Sequence, residues 1–234
     1  RIRVRGSGSA DPRGIVALAY NRHAAVEIRK RLHALIGDDA HGVTVMTCHA
    51  LAMRLVGASF AERARQAEQK DFDAVLREAV ALLEGRGLPP DDADDARDRL
   101  LAGFNWILVD EYQDVGADHY ALISALAGRT QTNPDAKLSL FAVGDDDQNI
   151  YAFNGASVEY IRRFASDYAA QPVYLTENYR STAHIVAAAN ALIESAPQRM
   201  KASQPITVNR ARRKAPPGGD WQALRLSLLL MMVL

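Results

Sequence analysis

The chain has 234 residues, 48% of them hydrophobic and 24% charged, enough to bury the core of one large or two small domains. Lys plus Arg and Asp plus Glu number 28 each, so any contact with nucleic acid has to come from a local patch, and net charge neither supports nor excludes one. A single cysteine, Cys48, excludes an internal disulfide framework and a cysteine-rich zinc site, and fits a reducing, cytoplasmic setting.

In chain order, residues 1–14 are polar and basic without a period, which predicts a loop or frayed end and no signal-peptide core. The Gly6-Ser7-Gly8-Ser9 run lacks the Gly-Lys-Ser/Thr of a phosphate loop. Residues 15–19 read as a short buried strand. Asn21 then caps a helix in which Ala24, Ala25, Ile28, Leu32 and Leu35 recur at helical spacing, and Gly37 stops it. The unit repeats: residues 43–46 form a strand, Thr47 caps, and Leu51, Leu55 and Val56 line a helix ended by Gly57.

Residues 59–101 change pattern. Phe72, Val75, Leu76, Val80 and Leu83 keep helical spacing with no strand between, and Pro89-Pro90 with the acidic run after it breaks the stretch into at least two helices, so an all-helical insertion is expected. The acidic run reads as a solvated helix face. Two further strands, 107–109 and 138–143, each stop on carboxylates and are each followed by a helix, the second over 158–164. Residues 173–175 predict another strand, and Ser181 predicts a cap for a helix carrying Ile185, Val186, Ala189, Leu192 and Ile193. Strands alternating with helices predict a parallel α/β sheet covered on both faces.

The chemistry falls at the strand ends. Asp110-Glu111 closes the apolar run Ile107-Leu108-Val109, and Asp145-Asp146-Asp147-Gln148 closes the next. Parallel strands deliver such acids to one nucleotide-binding crevice. In a nucleotide hydrolase one acid of an adjacent pair holds Mg²⁺ and the next orients and deprotonates water, although a strand-end Asp also serves simply to cap a following helix. The Gln148 amide suits sensing of a γ-phosphate. Tyr151 and Phe153 are candidates for stacking on unpaired bases, with a core role as the alternative. Arg180 offers a fixed positive fork to phosphate and Tyr179 a stacking face; an arginine at a helix start opposes the dipole there.

Val109-Asp110-Glu111-Tyr112-Gln113-Asp114, then Val143-Gly144-Asp145-Asp146-Asp147-Gln148-Asn149-Ile150-Tyr151, then Leu175-Thr176-Glu177-Asn178-Tyr179-Arg180-Ser181 resemble, in content, order and spacing, three successive motifs of the UvrD/Rep superfamily-one DNA helicases. Upstream, Tyr20-Asn21-Arg22 resembles the family's first DNA-contact motif and Thr47-Cys48-His49 its Thr-Phe-His motif. Asn149, Ala152 and Asn154 resemble most the UvrD-like region of some large bacterial proteins that carry the RecQ helicase name. The resemblance implies a RecA-like motor domain, ATP and Mg²⁺ as cofactors, and single-stranded DNA as partner. Residue by residue it implies Asp110 on Mg²⁺, Glu111 as catalytic base, Gln148 and Arg180 on the γ-phosphate and Tyr179 on adenine. Tyr20, Asn21, Arg22, Thr47, His49, Tyr151 and Phe153 would meet the DNA.

On that resemblance residues 15–58 and 102–200 make part of a RecA-like motor domain and 59–101 its helical accessory insertion. Residues 201–234 are a basic linker with an aberrant apolar tail, whose run 224–234 is about half the length of a membrane span. Ala152 and Asn154 replace an arginine or related residue, and Cys48 replaces an aromatic. No phosphate-loop motif precedes residue 15 and no second-domain motif follows residue 191, so the chain reads as a fragment that needs the remainder of a longer chain. Two readings stay open: part of an ATP-dependent 3′ to 5′ helicase or translocase, and a catalytically inactive DNA-binding or regulatory module.

Overall fold

The computed structural model describes residues 11–57, 73–101, 103–150, 155–196 and 199–208. Within them four parallel strands form one sheet in the order β2-β1-β3-β4: β1 at Ile15–Ala19, β2 at Thr44–Thr47, β3 at Trp106–Val109 and β4 at Ser139–Ala142. β1 is buried along its whole length, as an apolar run without alternation requires of an inner parallel strand. Successive side chains point to opposite faces, so Val16 and Leu18 enter one core and Ala17 and Ala19 the other.

Helix α1 (Arg22–Ile36) covers the alanine face through Ala25, Ile28 and Leu32. Asn21 starts it, its side-chain oxygen accepting from the Ala24 amide at 2.8 Å. The opposite face carries α2 (Cys48–Leu55) and α3 (Ala74–Leu83), with α4 (Pro90–Leu100) packed on α3 and α5 (Ala117–Ala127) closing the layer. Thr47 caps α2 by accepting from the Ala50 amide at 3.2 Å. On α3, Val75, Leu76, Ala79, Val80 and Leu83 are buried. The helices between β2 and β3 therefore share the sheet's main core, where each fully buried leucine is worth about 2–5 kcal/mol against alanine.

The acidic helix α4 has a second side. Arg97, only 3% exposed, reaches down and donates to the carbonyls of Leu126 at 2.9 Å and Ala136 at 2.8 Å. A cation at the end of α5 satisfies carbonyls that the helix itself leaves open. Burial pulls the Arg97 pKa below its ordinary value, and the neighbouring Asp98 and Asp94 push it back up. The acidic run is thus a solvated face interrupted by one buried cation.

Three expectations need correction. Residues 173–175 are not a strand: Val173 and Leu175 are each 59% exposed, and the ladder begins only at β5 (Glu177–Asn178), where β6 (Thr207–Val208) supplies a parallel partner. Without a partner an extended segment has nowhere to place its amides except water. The following helix, α8 (Ala183–Ile193), has Thr182 at its N-cap and not Ser181, whose amide instead donates to the Asn178 side chain at 2.7 Å. Arg180 therefore lies in a turn ahead of the helix, and the dipole argument does not apply to it. The single helix expected over 158–164 is two short ones, α6 (Val158–Arg162) and α7 (Phe164–Tyr168).

Candidate functional site

β1, β2, β3 and β4 end at the same edge, since all four run parallel, and the residues just past their ends fall into two groups. Past β3 and β4 come Asp110, Glu111 and the turn from Asp145 to Gln148. Past β1 and β2 come Tyr20, Asn21 and Arg22, then Thr47 and His49. The parallel registry of β3 with β4, Val109 opposite Ala142, puts the two acidic turns side by side.

Asp110 is half-buried and its amide extends the sheet by donating to Leu18 at 3.0 Å. Burial raises its pKa above the ordinary value, and the adjacent Glu111 carboxylate adds to the rise. Glu111 has φ 53° and ψ 50°, a left-handed backbone that a non-glycine residue adopts at a cost of about 1–3 kcal/mol. The turn is fixed by the Tyr112 amide, which donates to the Val143 carbonyl at 2.8 Å, and by Tyr112 itself, fully buried edge-on to Phe164. Strain held in place at a strand end marks a position where the side chain's direction matters.

Gln113, which lies in the first motif and whose role the sequence does not reveal, is the residue that joins the two turns. It is 2% exposed. Its Nε2 donates to Glu111 Oε2 at 2.8 Å, and its Oε1 accepts from the Asp145 amide at 2.9 Å. Asn149 Nδ2 donates to its carbonyl. Gly144 makes room for it: a Cβ there would sit 2.7 Å from Gln113 Oε1, 2.8 Å from Ile161 Cδ1 and 3.0 Å from the Tyr112 nitrogen. The signal available in the sequence was an amide two residues past a paired acid, with a glycine ending the next strand's apolar run.

Gln148 is exposed, and its Nε2 donates to Asp145 Oδ2 at 2.8 Å. Arg199 forks onto Asp147, with Nε and Nη2 on the two oxygens at 2.9 and 2.7 Å. That hydrogen bond is the largest influence holding the Asp147 pKa below its ordinary value. The contribution to stability is therefore complete above the ordinary carboxylate pKa and is lost only as pH falls through the depressed folded-state value. An open groove of about 870 Å³ follows β4 and reaches Asp145, Asp146 and Lys201.

At the β1 and β2 ends, Asn21 and Thr47 spend their side-chain oxygens on helix caps, while Arg22 is exposed and Tyr20 half-buried. His49 Nε2 lies 2.8 Å from Asp73 Oδ1, and its ring meets His119 edge-on at 5.1 Å, so it is drawn toward α3 and α5. Cys48 behind it is buried, which pushes its thiol pKa up to about 12 and makes it an inert packing residue. Tyr179 and Arg180 follow β5, outside the four-stranded sheet, and both are exposed; the Tyr179 hydroxyl donates to Glu177. Tyr151 and Phe153 lie outside the described residues.

Residues 56–169 match the UvrD/REP helicase N-terminal domain. The chain is 39% identical over 145 residues to the ATP-dependent DNA helicase UvrD1 of Mycobacterium tuberculosis, covering 62% of this chain and 18% of that protein. It is 31% identical over 256 residues to DNA helicase II of Escherichia coli, covering 80% of this chain and 35% of that one. It is 31% identical over 184 residues to the ATP-dependent DNA helicase PcrA of Leuconostoc citreum, covering 78% and 22%. The chain thus spans about a third or less of the length of these relatives. Among the described residues no helix is long and apolar enough to cross a membrane.

Proposed function

Because this chain belongs to the UvrD/REP helicase family, we propose that it forms part of an ATP-dependent DNA helicase that couples ATP hydrolysis to 3′ to 5′ movement on single-stranded DNA. The observation that carries this reading is the meeting of Asp110, Glu111 and Gln148 at one strand edge, with Gln113 bonded to both turns. In this reading Gln113 holds one oxygen of Glu111, so the carboxylate presents its other oxygen to the attacking water as general base. Gln148 offers its amide to the γ-phosphate from the turn beside it. Arg180 adds a planar, forked donor to the same phosphate, and Tyr179 stacks on adenine. Tyr20, Asn21, Arg22, Thr47, His49, Tyr151 and Phe153 supply the path for single-stranded DNA.

A hard divalent cation suits the Asp110 carboxylate, whose raised pKa reports a buried oxygen donor beside a second negative charge. When bound, Mg²⁺ would neutralise charge on the phosphates. A carboxyl whose folded-state pKa is raised favours the folded chain in its protonated form, so this stabilisation is present below the ordinary carboxylate pKa and is lost as pH rises through the raised value. Asp110→Asn should therefore melt above wild type at neutral pH without metal, with the gap closing on acidification. Mg²⁺ should raise the midpoint of wild type and leave that of Asp110→Asn in place.

A second reading rests on one observation: no Gly-Lys-Ser/Thr occurs in the 234 residues, so the ammonium that a phosphate loop lends to the β and γ phosphates has no counterpart in this chain. Under it the chain is a DNA-binding or regulatory module that retains the helicase fold. ATP hydrolysis by the chain alone, with and without single-stranded DNA, tests whether these residues suffice for turnover, and hydrolysis by the full-length protein separates the two readings. From the chain alone we expect a rate near background, since the phosphate cradle supplies much of the transition-state stabilisation in such enzymes. DNA-stimulated turnover that Glu111→Gln abolishes would place a complete hydrolytic site within these residues.

A further inference from the structure

Asp145, Asp146 and Asp147 are consecutive carboxylates on the turn that carries Gln148, at an edge where an anionic polyphosphate would have to approach. Left uncompensated, three negative charges would repel it. All three are met by one short segment. Arg199 forks onto Asp147, the Met200 amide donates to Asp146 Oδ2 at 2.9 Å, and Lys201 Nζ pairs with Asp145 and lies 3.5 Å from Asp147 Oδ2. Arg162 Nη2 stands 3.9 Å from Asp146 on the other side. The side chains of Arg199, Lys201 and Asp147 are 11–13% exposed, so these bonds are largely shielded from water and salt.

The contacts run on into the site. Asp145 takes Lys201 on Oδ1 and the Gln148 side-chain amide on Oδ2, while its own amide donates to Gln113, which holds Glu111. Residues 199–201 also precede β6, which pairs with β5 ahead of Tyr179 and Arg180. The trio of carboxylates brings its oxygens within 4.8 Å of one another, a spacing that would also suit a cation, but those oxygens are already taken by a guanidinium, an ammonium and a backbone amide.

We propose that Arg199 and Lys201 are positioning residues for ATP hydrolysis: they clamp the 145–148 turn, neutralise its carboxylates and fix the direction of Gln148. The clamp also ties the two-stranded sheet bearing Tyr179 and Arg180 to the four-stranded sheet bearing Glu111, so movement of one sheet against the other is felt at Gln148. The link to hydrolysis rests on the function proposed above; the clamp itself does not.

Hydrogen exchange on the chain tests the clamp directly. In Arg199→Ala with Lys201→Ala, amides 145–149 should exchange about tenfold faster or more while β1 and β3 amides keep their protection. The charge swap Asp147→Arg with Arg199→Asp should restore protection. Unchanged exchange at 145–149 overturns the clamp, and so does a swap that fails to restore it. If the double alanine variant loses protection everywhere, Asp147→Asn decides in its place, and a rise confined to 145–149 is the supporting result. In the full-length protein Arg199→Ala should lower kcat about tenfold with KM within about twofold, and Arg199→Lys should recover part of the loss. Equal falls in both alanine and lysine variants would indicate that Arg199 touches the phosphate itself and would overturn its role as a positioning residue. A wild type without ATP turnover contradicts the function proposed above, and the exchange result still decides the clamp.

Discussion

Glu111→Gln in the full-length protein is expected to lower the kcat of DNA-stimulated ATP hydrolysis by about 10²–10⁴-fold, the range that a positioned general base contributes, with ATP affinity and melting midpoint near those of wild type. The side-chain geometry explains why the effect should be confined to the chemistry. Glutamine keeps an oxygen to accept from Gln113 Nε2, the bond Glu111 makes at 2.8 Å, and keeps the same backbone preferences at φ 53°. Only the proton acceptor is lost. Glu111→Gly gives the informative contrast, because glycine occupies that backbone region without the steric cost of a Cβ. It relieves the backbone strain but leaves the buried Gln113 Nε2 without its acceptor, two effects of similar size and opposite sign, so the melting midpoint should stay near wild type while turnover is abolished equally. Steady-state kinetics paired with thermal melts read both.

Gly144→Ala should carry the second large effect, a loss of about 1–3 kcal/mol from overpacking, accompanied by a fall in turnover. The added methyl would meet Gln113 Oε1, Ile161 and the Tyr112 nitrogen, all at 3.0 Å or less. Two of these belong to the turn after β3, and that turn is anchored by the Tyr112 bond to Val143, so it cannot retreat without breaking the sheet's own bonding. Gln113 would be displaced from the Asp145 amide, and Glu111 would lose its orientation. A variant that melts and turns over like wild type would show that this close approach has no mechanical consequence.

Much of the sheet is legible in the sequence because its signals are local. β1 and β3 are apolar runs, Asn21 and Thr47 are side-chain caps three residues ahead of the amides they receive, and Asp110 and Asp145 reach one edge because two neighbouring parallel strands end there. The less legible features depend on partners far along the chain. Arg199 and Lys201 stand 52 and 56 residues from the carboxylates they bind, so from composition Lys201 reads as the start of a basic linker. Arg97 sits in an acidic run, and only the carbonyls at the end of α5, 29 residues on, give a reason to bury it. Residues 173–175 have strand-like composition, yet pairing starts two residues later because the partner, Thr207, faces Glu177. Gln113 is marked in the sequence by its place two residues past the paired acid, but its partners, Glu111 and the Asp145 amide, and the room left by Gly144 come only from the packing of the two turns.

In the proposed function, the edge formed by Asp110, Glu111 and Gln148 hydrolyses ATP in the service of a DNA strand running past the ends of β1 and β2. The most direct measurement is ATP hydrolysis by the full-length protein with and without single-stranded DNA. A rate that rises by about tenfold or more when the DNA is added, as coupling worth at least 1.4 kcal/mol requires, is the predicted result. Hydrolysis at the same rate with and without the strand would contradict it.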